Sequence, residues 1–166
     1  MSIRPLRPED ADELATLYRA NREFLAPFEP TRPAEFFTPE GQRERLAYQL
    51  EGETHPFAIL DGADIAGTIN LFNIVRESLQ SGTIGYWVDG RRNGRGLATQ
   101  AVGEILSYSF DSLTLHRVEA ATLVDNLPSQ RVLEKNGFER IGLARRFLRI
   151  DDDWRDFLLF QRLADD

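Results

Sequence analysis

The 166-residue chain contains no cysteine. That excludes disulfides, thiolate metal sites and any covalent cysteine intermediate, so acyl transfer here cannot pass through an enzyme thioester. It also suits a reducing compartment. There are two histidines, His55 and His116, far apart in the chain, which does not make a metal site. No apolar run approaches the roughly 20 residues needed to span a bilayer, and Met1-Ser2-Ile3-Arg4-Pro5 lacks the apolar centre of a signal peptide. A cytoplasmic protein with no membrane contact is expected. Basic excess is missing too: 27 acidic side chains outnumber 20 Lys and Arg, giving a net charge of −7 and a pI near 4.9. That disfavours direct nucleic-acid binding and suits a cationic or neutral partner, although solubility alone accounts for the same balance. A chain of this length buries about two thirds of its unfolded surface in one domain. With no repeat, low-complexity tract or linker, a single domain over residues 1–166 is expected.

The elements follow from apolar spacing. Ile3 to Leu6 reads as a first strand, and Pro8-Glu9-Asp10 opens a helix with Ala11, Leu14, Leu17 and Tyr18 on one face. Phe24 to Pro33 carries three prolines and reads as an irregular connection of the kind that borders substrate clefts. Thr38-Pro39-Glu40 is an N-cap and first turn for a helix reaching about Glu51. Phe57 to Leu60 and Ile65 to Asn73 flank Asp61-Gly62 as a hairpin, with Thr83 to Val88 as the next antiparallel strand. His55, before Pro56, falls in a loop on this reading. Leu97, Ala101, Ile105, Leu106 and Phe110 then mark an amphipathic helix, and Arg117 to Leu123 a strand; this succession predicts a right-handed parallel crossover. His116, at the start of that strand, reads as structural. Pro128 to Asn136 is helical and Gly137 ends it. Two last strands, around Glu139 to Leu148 and Phe157 to Leu163, are joined by a polar tip at Asp151-Asp152-Asp153, which lacks the glycine and glutamate of a calcium loop.

The segment Asn93 to Thr99, N-G-R-G-L-A-T, is a glycine turn between a strand and a helix. Gly94 and Gly96 remove the Cβ atoms that would keep an anion from the backbone, and the first helical turn leaves about four N–H groups without internal partners. That arrangement suits a pyrophosphate. A tight turn followed by helix packing has the same letters, so the neighbouring segments decide. Arg91, Arg92 and Arg95 add three cations beside the turn, suited to a ligand with several phosphates or simply solvated.

Three pieces in order, Ile84-Gly85-Tyr86-Trp87-Val88-Asp89, Gly94-Arg95-Gly96-Leu97-Ala98-Thr99-Gln100-Ala101 and Asp125-Asn126-Leu127-Pro128-Ser129-Gln130-Arg131-Val132-Leu133-Glu134-Lys135-Asn136-Gly137-Phe138, make the chain similar to the GNAT acetyltransferases. Within them it resembles the Rim-type group, which acetylates ribosomal-protein N-termini and related amines. The resemblance covers nearly the whole chain. It implies an α/β (α+β) domain whose mixed, mostly antiparallel sheet of about six to seven strands, with about four helices, splays between 83–88 and 117–123. In that gap the pantetheine arm of acetyl-CoA, the implied cosubstrate, would lie. Backbone groups of Trp87, Val88 or Asp89 would meet pantetheine or the thioester carbonyl. Asn93, Gly94, Arg95, Gly96, Leu97, Ala98 and Thr99 would hold the pyrophosphate, in the register of the family's Q/R-x-x-G-x-G/A motif from which Asn93 departs. Of Tyr86 and Trp87, alternation turns one toward a core. Trp154 and Asp156 match the family's C-terminal hairpin, where packing and turn stabilisation are the implied jobs.

Direct transfer to an amine needs a neutral amine, a stabilised oxyanion and a proton for the departing thiolate. By the resemblance, Ser129 is the acid of the Rim-type N-x-x-S pattern, although a serine at a helix start also caps backbone amides. Asn126 would bind pantetheine or the loop backbone, or form the turn. Many relatives place a tyrosine acid four residues after Ser129; here that position is Leu133. Glu77, near the end of the third strand, is the candidate base, with a water relay as substitute; Glu29 in the Pro-rich loop is a candidate for acceptor binding. A lysine amine is neutral in about one molecule in 2,500 at pH 7 and an α-amine in about one in seven, so an α-amine demands less of the base. The resemblance thus implies an acetyl-CoA-dependent N-acetyltransferase acting on a protein N-terminus, with a small-molecule amine (amino acid, antibiotic or polyamine) as the nearer alternative and a homodimer as a further expectation. A non-catalytic CoA-binding sensor is the rival of another class. A nucleotide-binding enzyme is not supported, because Gly94-Arg95-Gly96 is not followed by Lys-Ser/Thr and no G-x-G-x-x-G is completed.

Overall fold

Along the strand β2 (His55–Asp61), Phe57 and Ile59 alternate with Ala58 and Leu60, and the two sets enter different cores. Successive side chains of a strand point to opposite faces, so a sheet with apolar residues at both parities must be covered on both sides. The computed structural model describes residues 1–165. Its seven strands add β1 (Ile3–Pro5), β3 (Asp64–Val75), β4 (Ser81–Val88), β5 (Arg117–Leu123), β6 (Glu139–Ile150) and β7 (Asp153–Leu163), in the order β1-β2-β3-β4-β5-β7-β6. All neighbours are antiparallel except β4 and β5. One face carries α1 (Ala11–Ala20), the short α2 (Arg22–Leu25) and α3 (Pro39–Glu51), packed through Leu14, Leu17, Leu25 and Leu46. The other carries α4 (Leu97–Ser107) and α5 (Leu127–Lys135), packed through Ala101, Val102, Ile105 and Leu133.

Local chemistry sets the ends of these elements. Thr38 Oγ1 accepts from Gly41 N–H at 3.1 Å and Pro39 supplies the first turn of α3. Asn126 Oδ1 accepts from Ser129 N–H at 3.3 Å to start α5, and Gly137, with φ of 75°, ends it. The expected helix at Pro8 begins instead as a 3-10 turn, Pro8–Asp10. Asp10 causes this: its carboxylate accepts from Arg7 N–H at 2.8 Å while Arg4 grips both oxygens at 2.8 Å, pinning the turn to β1.

Three readings from sequence are amended. His55 opens β2 rather than lying in a loop, with Nδ1 2.7 Å from the Tyr108 hydroxyl, because the ladder to Leu71 extends past Pro56. Tyr86 and Trp87 both pack against apolar clusters, on opposite faces, since each face has its own core. Trp154 is 60% exposed near the tip of the last hairpin, beyond the reach of the helices. Asp156 does stabilise that hairpin: it accepts from Arg146 N–H at 2.7 Å where β6 bulges against β7.

The parallel pairing of β4 with β5 is confined to Ser81–Thr83 opposite Arg117–Glu119. Beyond it the strands part, while β4 stays paired with β3 as far as Val88 and β5 with β7 as far as Leu123. The gap therefore exposes unpaired backbone between two well-held strands.

The Arg4 guanidinium, opposed by burial and aided by the Arg7 amide, holds the Asp10 carboxyl below the usual carboxylate range. A depressed folded-state pKa contributes stability above the unfolded value near 3.9, lost as pH falls through the folded value. Thermal midpoints of the wild type should therefore fall as pH drops below about 4. Asp10→Asn should be less stable at neutral pH and show a flatter acid limb when measured by calorimetry.

Candidate active site

A cavity of about 1460 Å³ occupies the gap between β4 and β5 and continues to the loop between α2 and α3. One half is lined by the glycine turn, the start of α4, the exposed edges of β4 and β5 and the first turns of α5; the other by Tyr18, Phe24, Phe28, Glu29, Arg32, Phe36, Arg45 and Tyr48. The Pro-rich connection does border the cleft, as its composition leads one to expect.

In the first half the backbone does most of the work. Gly94 and Gly96 have φ of 76° and 79°, left-handed values that favour glycine, and a Cβ on either would meet no protein atom within 4 Å. Space in front of these glycines is thus left for something else. Gly96 starts α4 with no side-chain cap, and the first backbone bond of the helix is from Gln100 N–H to Gly96 C=O at 3.0 Å. The N–H groups of Leu97, Ala98 and Thr99 belong to the uncapped turn that lines the cavity, a ready cradle for a pyrophosphate. Asn93 lines the same turn.

The arginines beside it are not free. Arg91 donates Nε and Nη2 to Asp89 at 3.2 and 2.9 Å, and Arg92 donates to Asp61 at 3.1 Å and Asp64 at 3.2 Å. Arg95 holds Asp61 with both Nη atoms. Three cations facing three carboxylates leave the rim of the turn nearly neutral, so attraction for phosphate falls chiefly to the amides. Arg95 stands outside the cavity lining.

Asp89 is a builder of the turn. It is 1% exposed, its carboxylate also accepts from Arg91 N–H at 3.1 Å, and its own N–H is committed to Ala66 C=O at 2.7 Å. Burial opposes ionisation there, but the Arg91 bonds outweigh it and keep the carboxyl low. Because backbone groups alternate between the two edges of a strand, the Asp89 bond to β3 turns the N–H of Val88 toward the gap. Trp87 contributes its indole to the other half: Nε1 donates to Tyr18 Oη at 3.1 Å, and the rings lie 4.7 Å apart.

On α5, Asn126 has the capping job, which leaves Ser129 Oγ free of one. Ser129 is half-buried, lines the cavity, and its Oγ lies 2.9 Å from the hydroxyl of Tyr86, which reaches across from β4. Leu133 is wholly buried in the core. Glu77 sits at φ of 57° in the exposed turn between β3 and β4 and does not line the cavity. Glu29 does, half-buried; burial pushes its carboxyl up against the pull of Arg32 and Arg45. His116 has its backbone bonded to Gln80 and Ala164, in keeping with a structural place. Among the described residues no group of three His, Asp or Glu could hold a metal ion, and no helix is long and apolar enough to cross a membrane.

Sequence reading missed two sets of residues. Strand parity puts Tyr86 on the face of Ile84 and Val88, but only the packing of α5 over that face brings it to Ser129. Arg45 and Gln49, four apart on α3, each bring a buried polar atom without a partner to the cavity lining, as do Thr68 and Asn70 of β3. Nothing in an otherwise polar helix marks them in advance.

A turn of bare amides at the mouth of two parted parallel strands, with a hydroxyl at the start of the next helix, defines an acyl-CoA-dependent transferase site. The family model for the acetyltransferase (GNAT) domain matches residues 1–139, and the chain belongs to that family. "Probable N-acetyltransferase YjcK" of Bacillus subtilis is 41% identical over 160 residues, 93% of this chain and 88% of its own. The crystal structure of ribosomal-protein-S5-alanine acetyltransferase from Vibrio fischeri superposes with a TM-score of 0.94 at 34% identity, over 99% of this chain and 93% of that one. Mycobacterium smegmatis RimJ, solved in complex with CoA-disulfide, gives 0.92 at 32% identity over 98% and 81%. The protein is an N-acetyltransferase that takes its acetyl group from acetyl-CoA, and the residues that remain after α5 complete its sheet by inserting β7 between β5 and β6.

Two substitutions test the cradle. Gly96→Val should weaken CoA binding at least about tenfold by titration calorimetry while far-UV dichroism is retained, since a branched side chain would fill the anion's space. Asp61→Asn should tighten CoA binding a few-fold at low salt by releasing Arg95 and removing one of the carboxylates that hold Arg92, and the gain should fade as salt is added.

Proposed function

We propose that the acceptor is the α-amine at the N-terminus of a protein, and that the protein works in the cytoplasm. The observation that carries this reading is the mixed polarity of the acceptor half. Glu29 offers an anion there, and Gln49 Oε1, Thr68 Oγ1 and Asn70 Oδ1 are buried acceptors without partners, while Arg45 offers a buried Nη2 without a partner. A polypeptide N-terminus matches both kinds, with amine and amide N–H groups for the acceptors and a carbonyl for Arg45. A polyamine carries donors and positive charge alone, and would leave Arg45 facing like charge. The name of the Vibrio fischeri relative, an acetyltransferase of a ribosomal-protein alanine, supports the same class.

On this reading the residues divide the work as follows. Acetyl-CoA supplies an acetyl group activated as a thioester. Val88 N–H, facing the gap, donates to the carbonyl oxygen as it gains negative charge; a single such donor is worth roughly 3 to 4 kcal/mol in a hydrolase. Glu29, its carboxyl raised by burial and therefore more basic than a solvated glutamate, orients the amine and takes its proton, directly or through one water. Ser129 Oγ–H gives a proton to the departing sulfur, at the end of a helix whose dipole favours negative charge. Glu77, exposed outside the cavity, has no part in this division.

Incubation with acetyl-CoA and a panel of peptides beginning with alanine or serine, against spermidine and α-N-blocked lysine peptides, should release thiol with the free peptides, and mass spectrometry should locate acetyl on the α-nitrogen. Glu29→Gln should lower kcat/KM for peptide roughly 10- to 100-fold with CoA affinity unchanged. Turnover confined to spermidine would overturn the peptide reading; CoA binding with no turnover on any amine would favour a sensor.

A further inference from the structure

Leu133 stands where many relatives carry an acidic phenol, and it is 0% exposed in the core. A phenol reaches the reaction gap all the same, from the opposite wall. Tyr86 projects from β4 and brings its hydroxyl within 2.9 Å of Ser129 Oγ and 3.2 Å of Ser129 C=O. Both residues line the cavity, and Ser129 is relieved of capping by Asn126. A tyrosine hydroxyl has one proton and two acceptor sites. When it donates to the Ser129 carbonyl, the serine proton points back at the phenol. When it donates to Ser129 Oγ, the serine proton is turned out into the gap.

We propose that Tyr86 is the proton relay behind Ser129: it donates to Ser129 Oγ and so aims the Ser129 proton at the sulfur that departs. The inference rests on Ser129 as the acid. The carbon–sulfur bond breaks with its electron pair on sulfur. Sulfur takes the proton of Ser129, Ser129 takes the proton of Tyr86, and the phenol regains one from water in the cavity, to which Glu29 returns the proton it took from the amine. The net movement is one proton from amine to thiol, with no outside reagent.

An aliphatic hydroxyl is a far weaker acid than a phenol, so Ser129 alone would be a poor donor. Burial, against the pull of the Ser129 bond, pushes the phenol up to about 12, so Tyr86 stays protonated wherever the enzyme is folded and active. It therefore adds no limb to the pH profile below about pH 11. Tyr86 acts through Ser129 and is a positioning residue.

The test compares Tyr86→Phe, Ser129→Ala and the double variant of the whole chain, with the best peptide acceptor. Tyr86→Phe should lower kcat roughly 10- to 100-fold, with CoA affinity within about twofold and an unchanged thermal midpoint. The double variant should be no slower than Ser129→Ala, because the two act in series. Normal kcat in Tyr86→Phe with a slow Ser129→Ala overturns the relay and spares Ser129; normal rates in both overturn the serine reading as well. Losses that multiply, or a loss matched by weaker CoA binding at an unchanged thermal midpoint, also overturn the relay. Should Tyr86→Phe fold poorly, the single-turnover proton inventories of the wild type and Ser129→Ala decide: two more protons in flight in the wild type support the relay, and one more overturns it.

Discussion

β4 and β5 share ladder bonds at only three positions, Ser81–Thr83 against Arg117–Glu119, and diverge from there. Each is held on its outer side, β4 by β3 through Val88 and β5 by β7 through Leu123, so the gap stays open without loosening the sheet. Backbone groups elsewhere in a protein are satisfied by their neighbours. Here the inner edges of both strands are left with donors and acceptors facing a cavity. The gap also sets the distance across which β4 and α5 confront each other, and so allows the hydroxyls of Tyr86 and Ser129 to meet at 2.9 Å.

Charge in the site is organised by cancellation at one end and by mixture at the other. Around the glycine turn, Asp61, Asp64 and Asp89 neutralise Arg91, Arg92 and Arg95. An anion entering there meets oriented amides rather than a field of cations. In the other half of the cavity, Glu29 with Arg32 and Arg45 combine opposite signs inside partly desolvated space, with aromatic rings beside them: the Arg45 guanidinium lies 5.4 Å from the Tyr18 ring and 5.5 Å from that of Phe36. Such a surface discriminates by geometry more than by net charge.

Much of the architecture was legible because its determinants are local or periodic. The strand at Arg117–Leu123, the helix from Leu97, the Thr38 cap and the parallel crossover all follow from alternation, 3.6-residue spacing and capping chemistry, and they stand where those rules put them. The glycine turn was legible for the same reason, since φ near 80° at Gly94 and Gly96 is what glycine supplies. Less legible were features set by partners distant in sequence. Asp10 bonding to Arg4 and Arg7 converts a helix start into a 3-10 turn, and ladder pairing draws His55 into β2.

By itself, the sequence determined the order of elements, the bare amides of the turn and the presence of a hydroxyl at the start of α5, because each depends on residues within a few positions of one another. It also excluded an enzyme thioester by lacking cysteine. Only the tertiary structure decided which groups face one another. It withdrew the arginines of the turn into ion pairs, left Glu77 outside and Glu29 inside the cavity, and set Tyr86 against Ser129. Apart from Arg91 with its neighbour Asp89, the contacts among these join residues 28 to 43 positions apart, as in Arg92 with Asp64 and Tyr86 with Ser129, and they are fixed by how sheet and helices pack.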